Sequence, residues 1–327
     1  MSLSRRTLLL GSAAAAASLS LSTAAPLMAA EPVSIIDTHQ HLWDRAKLKL
    51  PWLESAPEVL RASYTPKEYA AATKGLSIRT VYMEVDVATE DHDKEADYVV
   101  GLSRDPKEAT KAAVIGGRPA SPDFSKYVER HLAGGFVKGV RQVLHADTTG
   151  PGYCLADDFV RGVRWLGKKG LSFDLCLRPS DLADGLKLSE KCPDTRFILD
   201  HCGNGDPKAF HPKLAPSEKP WHTVEEWKRG IGDLAKRPNV VCKISGIVAR
   251  APKGWKAEHL SELVNHCLDS FGPDRVVFGS DWPVCLLGAP LQEWIAALKT
   301  IISNRSAEQQ QKLLAGNARK LYQLTNV

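Results

Sequence analysis

Short apolar runs rich in β-branched residues recur along the chain and limit its possible folds more than any other feature. Several are almost continuously apolar, as in V-V-F-G and F-I-L-D, which is typical of strands covered on both faces. Antiparallel sandwiches show a cleaner alternation and shorter spacing. The eight predicted strands are residues 34–41, 79–85, 111–116, 137–144, 171–177, 196–201, 239–245 and 275–280.

Segments of helical character separate these runs. Thr65 and Thr223 each precede an acidic first turn and are predicted helix N-caps, and residues 290–302 and 306–324 have apolar residues at helical spacing. Strand and helix alternating eight times predict an α/β fold, a single-domain (β/α)8 TIM barrel over residues 31–327. A doubly wound open sheet is the competitor, but no G-x-G-x-x-G opens a helix.

The first thirty residues have the pattern of an export signal. Arg5 and Arg6 precede an apolar, alanine-rich run, and small residues follow up to Ala30. The paired arginines predict the twin-arginine route and hence a periplasmic protein. A membrane anchor is the alternative, but the apolar run is shorter than the roughly 20 residues that span a bilayer. Cleavage is predicted after Ala30 or, alternatively, after Ala24.

The mature chain is nearly balanced in charge. Of 43 lysines and arginines, two lie in the signal, which leaves 41 against 38 acidic residues and a net charge of +3. Without a basic cluster, this balance predicts a small-molecule substrate and no nucleic-acid partner. No second apolar run predicts a membrane span, and the oligomeric state stays open, a homo-oligomer included. The seven scattered cysteines favour buried free thiols over a disulfide framework.

In a barrel of this kind, the residues at the carboxyl ends of the strands converge on one site. Residues two apart in a strand share a face, so we expect Asp37, His39 and His41 to project together. Two long connections, residues 43–64 and 203–221, also follow strand ends and are candidate lids. The polar residues predicted at the strand ends are His39, His41, Glu84, Asp86, Arg141, His145, Asp200, His201, Lys243, Ser245, Ser280 and Asp281. Three histidines and a carboxylate among them suit a divalent metal with an open coordination position.

Four motifs occur in order along the chain: D-T-H-Q-H-L-W-D, L-D-H-C-G, K-I-S-G and F-G-S-D-W-P-V. Together they resemble the amidohydrolase superfamily, and within it the branch of L-fuconolactonases, L-rhamnonolactonases and 2-pyrone-4,6-dicarboxylate lactonase. The resemblance extends over the whole mature chain to N-A-R-K-L-Y. It implies the barrel fold and makes His39, His41 and His201 metal ligands or polar substrate contacts. It also implies that Asp281 handles the proton of the attacking water.

The sequence departs from the two-metal members of that superfamily, which use a lysine on the fourth strand and a histidine on the fifth. The fifth predicted strand has no histidine, and Lys138 lies three residues from Arg141, so the two should face opposite sides. We therefore expect one divalent ion, Zn²⁺, held by His39, His41, His201 and Asp281. Glu84 is a further candidate ligand, although an ordinary ion pair suits it equally. Metal-free operation is the alternative, since the branch includes metal-free members.

The residue types fit hydrolysis of a lactone. A divalent ion would polarise the carbonyl or lower the pKa of water to about 7, and Asp281 would accept the proton and return it to the leaving alkoxide. His201 and Arg141 complete the predicted catalytic set, because their N–H groups would stabilise an oxyanion. The residues expected to contact the substrate are Arg141, His145, Arg178, Lys243, Trp43 and Trp282. Arg141 is the expected carboxylate partner.

Two other functions stay open at the level of sequence. Relatives with the same His-x-His and Asp framework include metal-dependent amide hydrolases and non-oxidative decarboxylases. An inactive periplasmic carbohydrate-binding protein is a third reading. The intact His39–His41 pair and Asp281 argue against it, because a binding protein has no need of a proton-accepting carboxylate beside a metal-type site.

Overall fold

Eight parallel strands form one sheet in which each strand pairs with the next along the chain. The computed structural model describes residues 35–324, so the predicted export signal at residues 1–30 lies outside the described residues. The strands are β1 (Ile35–Gln40), β2 (Ile78–Met83), β3 (Thr110–Gly116), β4 (Val137–Val143), β5 (Ser172–Cys176), β6 (Arg196–Leu199), β7 (Val240–Ile244) and β8 (Val276–Phe278). All eight predicted strands are confirmed, with small differences at their ends.

One main helix follows each strand and packs on the outside of the sheet. These helices are α1 (Pro66–Ala72), α2 (His92–Arg104), α3 (Phe124–Arg130), α4 (Asp157–Lys168), α5 (Leu182–Lys191), α6 (Val224–Ala235), α7 (Ala257–Phe271) and α8 (Leu291–Ile301). The predicted caps are confirmed, since Thr65 and Thr223 form capping boxes with Glu68 and Glu226. The alternation confirms the single-domain (β/α)8 barrel.

The last strand returns to the first at their carboxyl ends. The backbone N–H of Asp281 donates to His39 at 2.9 Å, and that of His41 donates to Trp282 at 2.8 Å. Gln40 and Trp282 also form an isolated parallel bridge. The barrel is therefore closed by the same backbone atoms that position the opening His-x-His pair and the aspartate of the eighth strand.

Asp37 does not share a face with His39 and His41, contrary to the expectation from strand alternation. The register of β1 against β2 shifts just after Asp37, and such an irregularity breaks the two-residue alternation. Its buried carboxylate instead accepts hydrogen bonds from the backbone and hydroxyl of Ser280, at 2.7 and 2.5 Å, and from the Tyr69 hydroxyl at 2.9 Å. Asp37 thus ties β1 to β8 and α1.

An apolar layer fills the barrel interior and packs against the C-terminal segment at the end where the strands begin. The strand residues of this layer are Ile36, Val81, Met83, Ala112, Val114, Ile198, Val241 and Val277. Ala315, Ala318, Tyr322 and Leu324 complete it from the C-terminal segment. That segment was predicted as one helix over residues 306–324; it has a π-helical turn, Lys312–Gly316, between two short α-helices.

All seven cysteines are buried, as predicted for free thiols used in packing. Several of them belong to a second hydrophobic cluster, which lies between the strands and the outer helices and includes Trp227 and Trp294. No helix within residues 35–324 is long and apolar enough to cross a membrane.

Candidate active site

A cavity of about 460 Å³ opens at the carboxyl ends of the strands, within the size range of small-molecule sites. Its polar lining includes six residues that the sequence predicted at the strand ends, namely His41, Asp86, Arg141, His145, His201 and Asp281. Both long connections take part. Trp43 and Trp52, at the start of the first, line the cavity, and Trp221, at the end of the second, stacks on a lining arginine.

The backbone around this cavity is held in uncommon conformations. Five of the six non-glycine residues with positive φ among residues 35–324 lie just beyond β2, β6 and β8: Asp86, His201, Cys202, Asn204 and Asp281. Such conformations cost on the order of 1–3 kcal/mol each and collect at functional sites, where the surrounding structure imposes them. Here they turn the predicted His201 and Asp281 toward the cavity.

His41 and Asp281 form the first pair of the site. His41 Nδ1 lies 2.9 Å from the carbonyl oxygen of Met83, and because a carbonyl only accepts, this nitrogen carries the proton. The other ring nitrogen, Nε2, lies 3.3 Å from Asp281 Oδ1. Burial acts to raise the pKa of Asp281, but His201 and His41 outweigh burial and hold it below its ordinary value. Asp281 is therefore an ionised carboxylate at neutral pH.

His39 lies deeper, between two carboxylates. Its Nε2 atom is 3.7 Å from Asp281 Oδ1 and its Nδ1 atom is 3.4 Å from Asp200 Oδ1. Burial lowers the pKa of His39 well below its ordinary value, although Asp200 opposes the shift. His39 is therefore neutral, and with its proton on Nδ1, on the side of Asp200, its Nε2 atom is an acceptor on the side of Asp281 and Arg141. A carboxylate behind an imidazole is the usual way to orient a metal-binding histidine.

Asp200 belongs to a charged cluster below the cavity. Lys243 Nζ lies 2.8 Å from Asp174 Oδ2 and 2.9 Å from Asp200 Oδ1, and all three side chains have no exposed surface. Burial acts to lower the pKa of Lys243, but the two carboxylates outweigh it and raise that pKa. The cluster holds Asp200, and through it His39, in one position.

Arg141 is bound on the opposite side of His39. Its Nε donates to Glu84 Oε1 at 2.6 Å and its Nη2 to the Glu84 carbonyl at 2.7 Å. The remaining Nη1 lies 3.3 Å from His39 Nε2 and 3.5 Å from Asp200 Oδ2. Because a guanidinium only donates, Nη1 donates to His39 Nε2, so Arg141 has no free fork and suits an oxyanion donor better than a two-pronged carboxylate partner.

His201 completes the set. It begins the turn after β6, and its Nδ1 atom lies 3.0 Å from Ser245 Oγ at the end of β7. Its ring centre is 4.4 Å from that of His39, and burial lowers its pKa. Gly246 is required beneath this ring, because a Cβ there would lie 2.3 Å from His201 Nδ1.

The residues present fit one divalent ion. The ligand atoms of His39, His41 and Asp281 lie within 4.8 Å of one another, and ligand atoms in a tetrahedral zinc site are about 3.3–3.6 Å apart. The two distances to Asp281, 3.3 and 3.7 Å, are close to that separation. In addition, His41 Nε2 faces the anionic Asp281 oxygen, so that one cation could bind to both atoms.

Four residues predicted for the site do not face the cavity. Both oxygens of Glu84 already accept hydrogen bonds, from Arg141 and from the backbone of Asp86, so it forms the ion pair and not a metal ligand. Lys243 is enclosed by its two carboxylates. Arg178 binds Asp181 and the carbonyls of the loop after β4. Trp282 is buried against Tyr64 and Tyr69, and thus belongs to packing.

The other predicted substrate contacts, Trp43 and His145, do line the cavity. Burial lowers the pKa of His145 to about 4, so its imidazole is neutral at physiological pH. Trp43 is almost fully buried and donates from Nε1 to the Ala62 carbonyl at 2.7 Å, so its ring forms a fixed wall.

No sequence motif marks Asp174, Asn204 or Arg250 as part of the site. Asp174 lies within a predicted strand, and its pairing with Lys243 needs the barrel register to be recognised. Arg250 follows β7 by six residues, in a short loop that no motif marks. Asn204 lies three residues after His201 in the turn of positive φ, and only this conformation brings it to the cavity.

The amidohydrolase family model matches residues 36–324. The chain belongs to the amidohydrolase family. This match covers nearly all of the described residues and includes every residue of the site.

The chain is also similar to individual named proteins, at sequence identities below 30%. An L-fucono-1,5-lactonase of Burkholderia multivorans is 29% identical over 296 residues, which cover 88% of this chain and 96% of that protein. An L-rhamnono-gamma-lactonase of Scheffersomyces stipitis is 24% identical over 215 residues, or 58% of this chain and 59% of that protein. The crystal structure of a Burkholderia multivorans amidohydrolase with bound zinc superimposes with a TM-score of 0.77 at 28% identity, covering 89% and 99% of the two chains.

Proposed function

We propose that this amidohydrolase opens a lactone, the internal ester of a sugar acid or a related cyclic ester, by attack of water. The observation that carries the proposal is the ionised Asp281, 3.3 Å from Nε2 of His41 at the floor of a small-molecule cavity. The two curated lactonases named above support the choice of a lactone among the ester and amide substrates that such a site could hydrolyse.

The protein's own residues account for the proton transfers. Asp281 accepts a proton from the attacking water and returns it to the ring oxygen as the alkoxide leaves. Arg141 Nη1 and His201 stand where they could donate hydrogen bonds to the negative charge that develops on the carbonyl oxygen. Asp200 and the Ser245 hydroxyl hold the two inner imidazoles in place, so that little reorganisation accompanies the reaction.

His39, His41 and Asp281 would hold one divalent ion, for which zinc is our proposal. The bound zinc of the Burkholderia multivorans amidohydrolase supports that choice. When bound, such an ion acts as a Lewis acid on the carbonyl and lowers the pKa of water to about 7.

A panel of lactones tests the reaction. Purified protein is mixed with fucono-, rhamnono-, galactono- and gluconolactones, and acid release is followed with a pH indicator. We expect kcat/KM values above about 10⁴ M⁻¹s⁻¹ for the preferred lactone. Amide hydrolysis or release of carbon dioxide from aromatic acids, with no lactone opened, would replace the proposal by the amidase or decarboxylase alternative.

Chelation tests the metal separately. The protein is dialysed against a chelator, its metal content is measured, and activity is assayed before and after addition of zinc. We expect about one equivalent of zinc per chain and an increase in melting temperature when it is restored, because a ligand that binds only the folded state stabilises it. Full activity in metal-free protein would instead favour metal-free operation, in which the histidines and Arg141 bind the substrate carbonyl directly.

We also propose export through the twin-arginine route, on the basis of residues 1–30 alone. Cell fractionation tests it, with Arg5→Lys/Arg6→Lys as the comparison. The unaltered chain should accumulate in the periplasm as a shortened form and the variant should remain full-length inside the cell. Equal distribution of the two would contradict the assignment.

A further inference from the structure

Three of the seven cysteines form a cluster between the sheet and the outer helices. Cys202 follows His201 in the turn after β6, Cys242 lies on β7 and Cys267 lies on α7. Their Sγ atoms all lie within 4.8 Å of one another, and none of the three residues has exposed surface. The other four cysteines belong to no group of three ligating side chains within residues 35–324. We call Cys202, Cys242 and Cys267 the thiol triad.

The fold itself assembles the thiol triad. Cys202 Sγ lies 3.8 Å from the Lys243 carbonyl oxygen, and the Cys202 carbonyl accepts a hydrogen bond from Trp227 Nε1 at 2.8 Å. Three sulfur atoms at about 2.3 Å from one centre are no more than roughly 4 Å apart, so side-chain movements of less than about 1 Å would complete such a site. A ligand would therefore bind with little reorganisation of the chain.

The number of donors and their burial select the ligand. Zn²⁺ in structural sites takes four protein ligands, one more than the thiol triad supplies. Three thiolates around a monovalent or divalent ion would leave a net negative charge in a site without exposed surface, where an uncompensated charge is costly. Lys243 cannot offset it, because its ammonium group is already paired with Asp174 and Asp200. A trivalent centre forms a neutral complex with three sulfur ligands.

The protons of the thiols can leave with such a ligand. Burial raises the pKa of Cys242 and Cys267 well above the ordinary value, so both thiols are protonated before a ligand binds. Arsenous acid, As(OH)₃, brings its own proton acceptors. In each exchange an As–O bond breaks, an As–S bond forms, and the thiol proton leaves with the hydroxide as water. Three exchanges release three water molecules and leave an uncharged arsenic trithiolate, with no change in oxidation state.

We propose that the thiol triad is a binding site for a trivalent thiophilic metalloid of the arsenite and antimonite class. None of its residues lines the cavity of the candidate active site, and the site does not depend on the proposed lactone hydrolysis. The two sites would also select different ligands, since imidazole and carboxylate suit zinc whereas a set of thiolates alone suits softer centres.

Binding of arsenite to the folded protein tests the site. The reduced full chain is incubated with sodium arsenite for several hours, because groups without exposed surface are reached only through local opening. Excess arsenite is then removed, and arsenic is counted by native mass spectrometry. We expect one arsenic atom per chain, X-ray absorption showing three sulfur neighbours and no oxygen, and a higher melting temperature. Folded protein that retains no arsenic, or arsenic with oxygen neighbours, would overturn the proposal.

Variants test which thiols hold the arsenic. Cys242→Ala and Cys267→Ala each remove one donor, so the affinity for arsenite should fall by roughly 10²- to 10⁴-fold, as judged by its release to a competing dithiol. Two variants are used so that failure of one to fold leaves the other. Cys192→Ala is the matched control, because Cys192 is also buried with its Sγ 3.8 Å from a backbone carbonyl but lies outside the triad. It should bind arsenite as the unaltered protein does. Unchanged affinity in the triad variants, or an equal loss in Cys192→Ala, would overturn the site.

Discussion

The two ends of the barrel interior are held together by opposite kinds of interaction. Toward the C-terminal segment, Val81 and Ile198 belong to an apolar layer closed by that segment. Below the cavity, Lys243, Asp174 and Asp200 are equally inaccessible but are charged. An apolar layer is stabilised by burial and tight packing, whereas buried charges are tolerated only because each has a partner.

Because of this difference, we expect substitutions at one end to change folding stability alone and substitutions at the other end to change both stability and catalysis. Truncation of a side chain in the apolar layer removes packing contacts and leaves the polar groups of the site in place. A deletion in the charged cluster leaves an uncompensated charge beside the imidazoles, so it should reduce both stability and activity.

At the cavity end of the barrel, we expect activity to depend most strongly on the carboxylate of Asp281. Asp281→Asn keeps the shape of the side chain but removes the base, so kcat should fall roughly 10²- to 10⁴-fold, with little change in KM. Steady-state kinetics on the preferred lactone measure this. Asp86→Asn is the matched control, because Asp86 also lines the cavity but pairs with Arg118. Near-normal turnover in Asp281→Asn would remove this residue from the role of base.

The charged cluster should be most sensitive at its single cation. Lys243→Met leaves Asp174 and Asp200 without their common partner, which should reduce the free energy of unfolding by about 3–5 kcal/mol. Urea unfolding measures the change. Lys138 of β4 is half-buried and lines a different groove at the strand starts. Lys138→Met is the control and should change the free energy of unfolding by less than about 1 kcal/mol. Equal effects of the two substitutions would show that pairing does not distinguish the ends.

The outer border of the charged region should respond to pH. Glu95, behind Glu84, accepts hydrogen bonds from Tyr82 and the backbone of Val85, and burial raises its pKa from 4.5 to about 8. The folded state therefore retains a proton that the unfolded chain loses above about pH 4.5. Stability should fall by roughly 1 kcal/mol per pH unit between these values as a result.

Glu95→Gln removes this penalty while its amide oxygen can keep both hydrogen bonds. The melting temperature of the variant, relative to the unaltered protein, should rise steadily from pH 5 to pH 8 and then level off. Thermal unfolding followed by circular dichroism at several pH values measures the difference. A constant difference across that range would mean that Glu95 is ionised in the folded protein.

The strands that form the apolar layer and the main residues of the site could be predicted from sequence, because both depend on local patterns. Continuous apolar runs indicated the strands, and His39, His41, His201 and Asp281 are adjacent to those runs. What could not be predicted depends on register and backbone conformation. Asp37 left the cavity because the pairing of β1 shifts, and Lys243 is withdrawn from it by Asp174, a residue 69 positions away. Such pairings are fixed only when the sheet closes.

In the apolar layer, we expect a small loss of folding stability with no change in activity. Ile198→Val removes one methylene group from a side chain with no exposed surface, so unfolding should become easier by about 0.5–1.5 kcal/mol. The lactone kcat and the zinc content per folded chain should remain unchanged, because Ile198 lies in the apolar layer and contacts no group of the charged cluster through a hydrogen bond or ion pair. Val277→Ala, in the same layer of β8, is the second variant. If either change lowers kcat while the protein stays folded, packing at the strand starts also positions the imidazoles, and the two ends act as one unit.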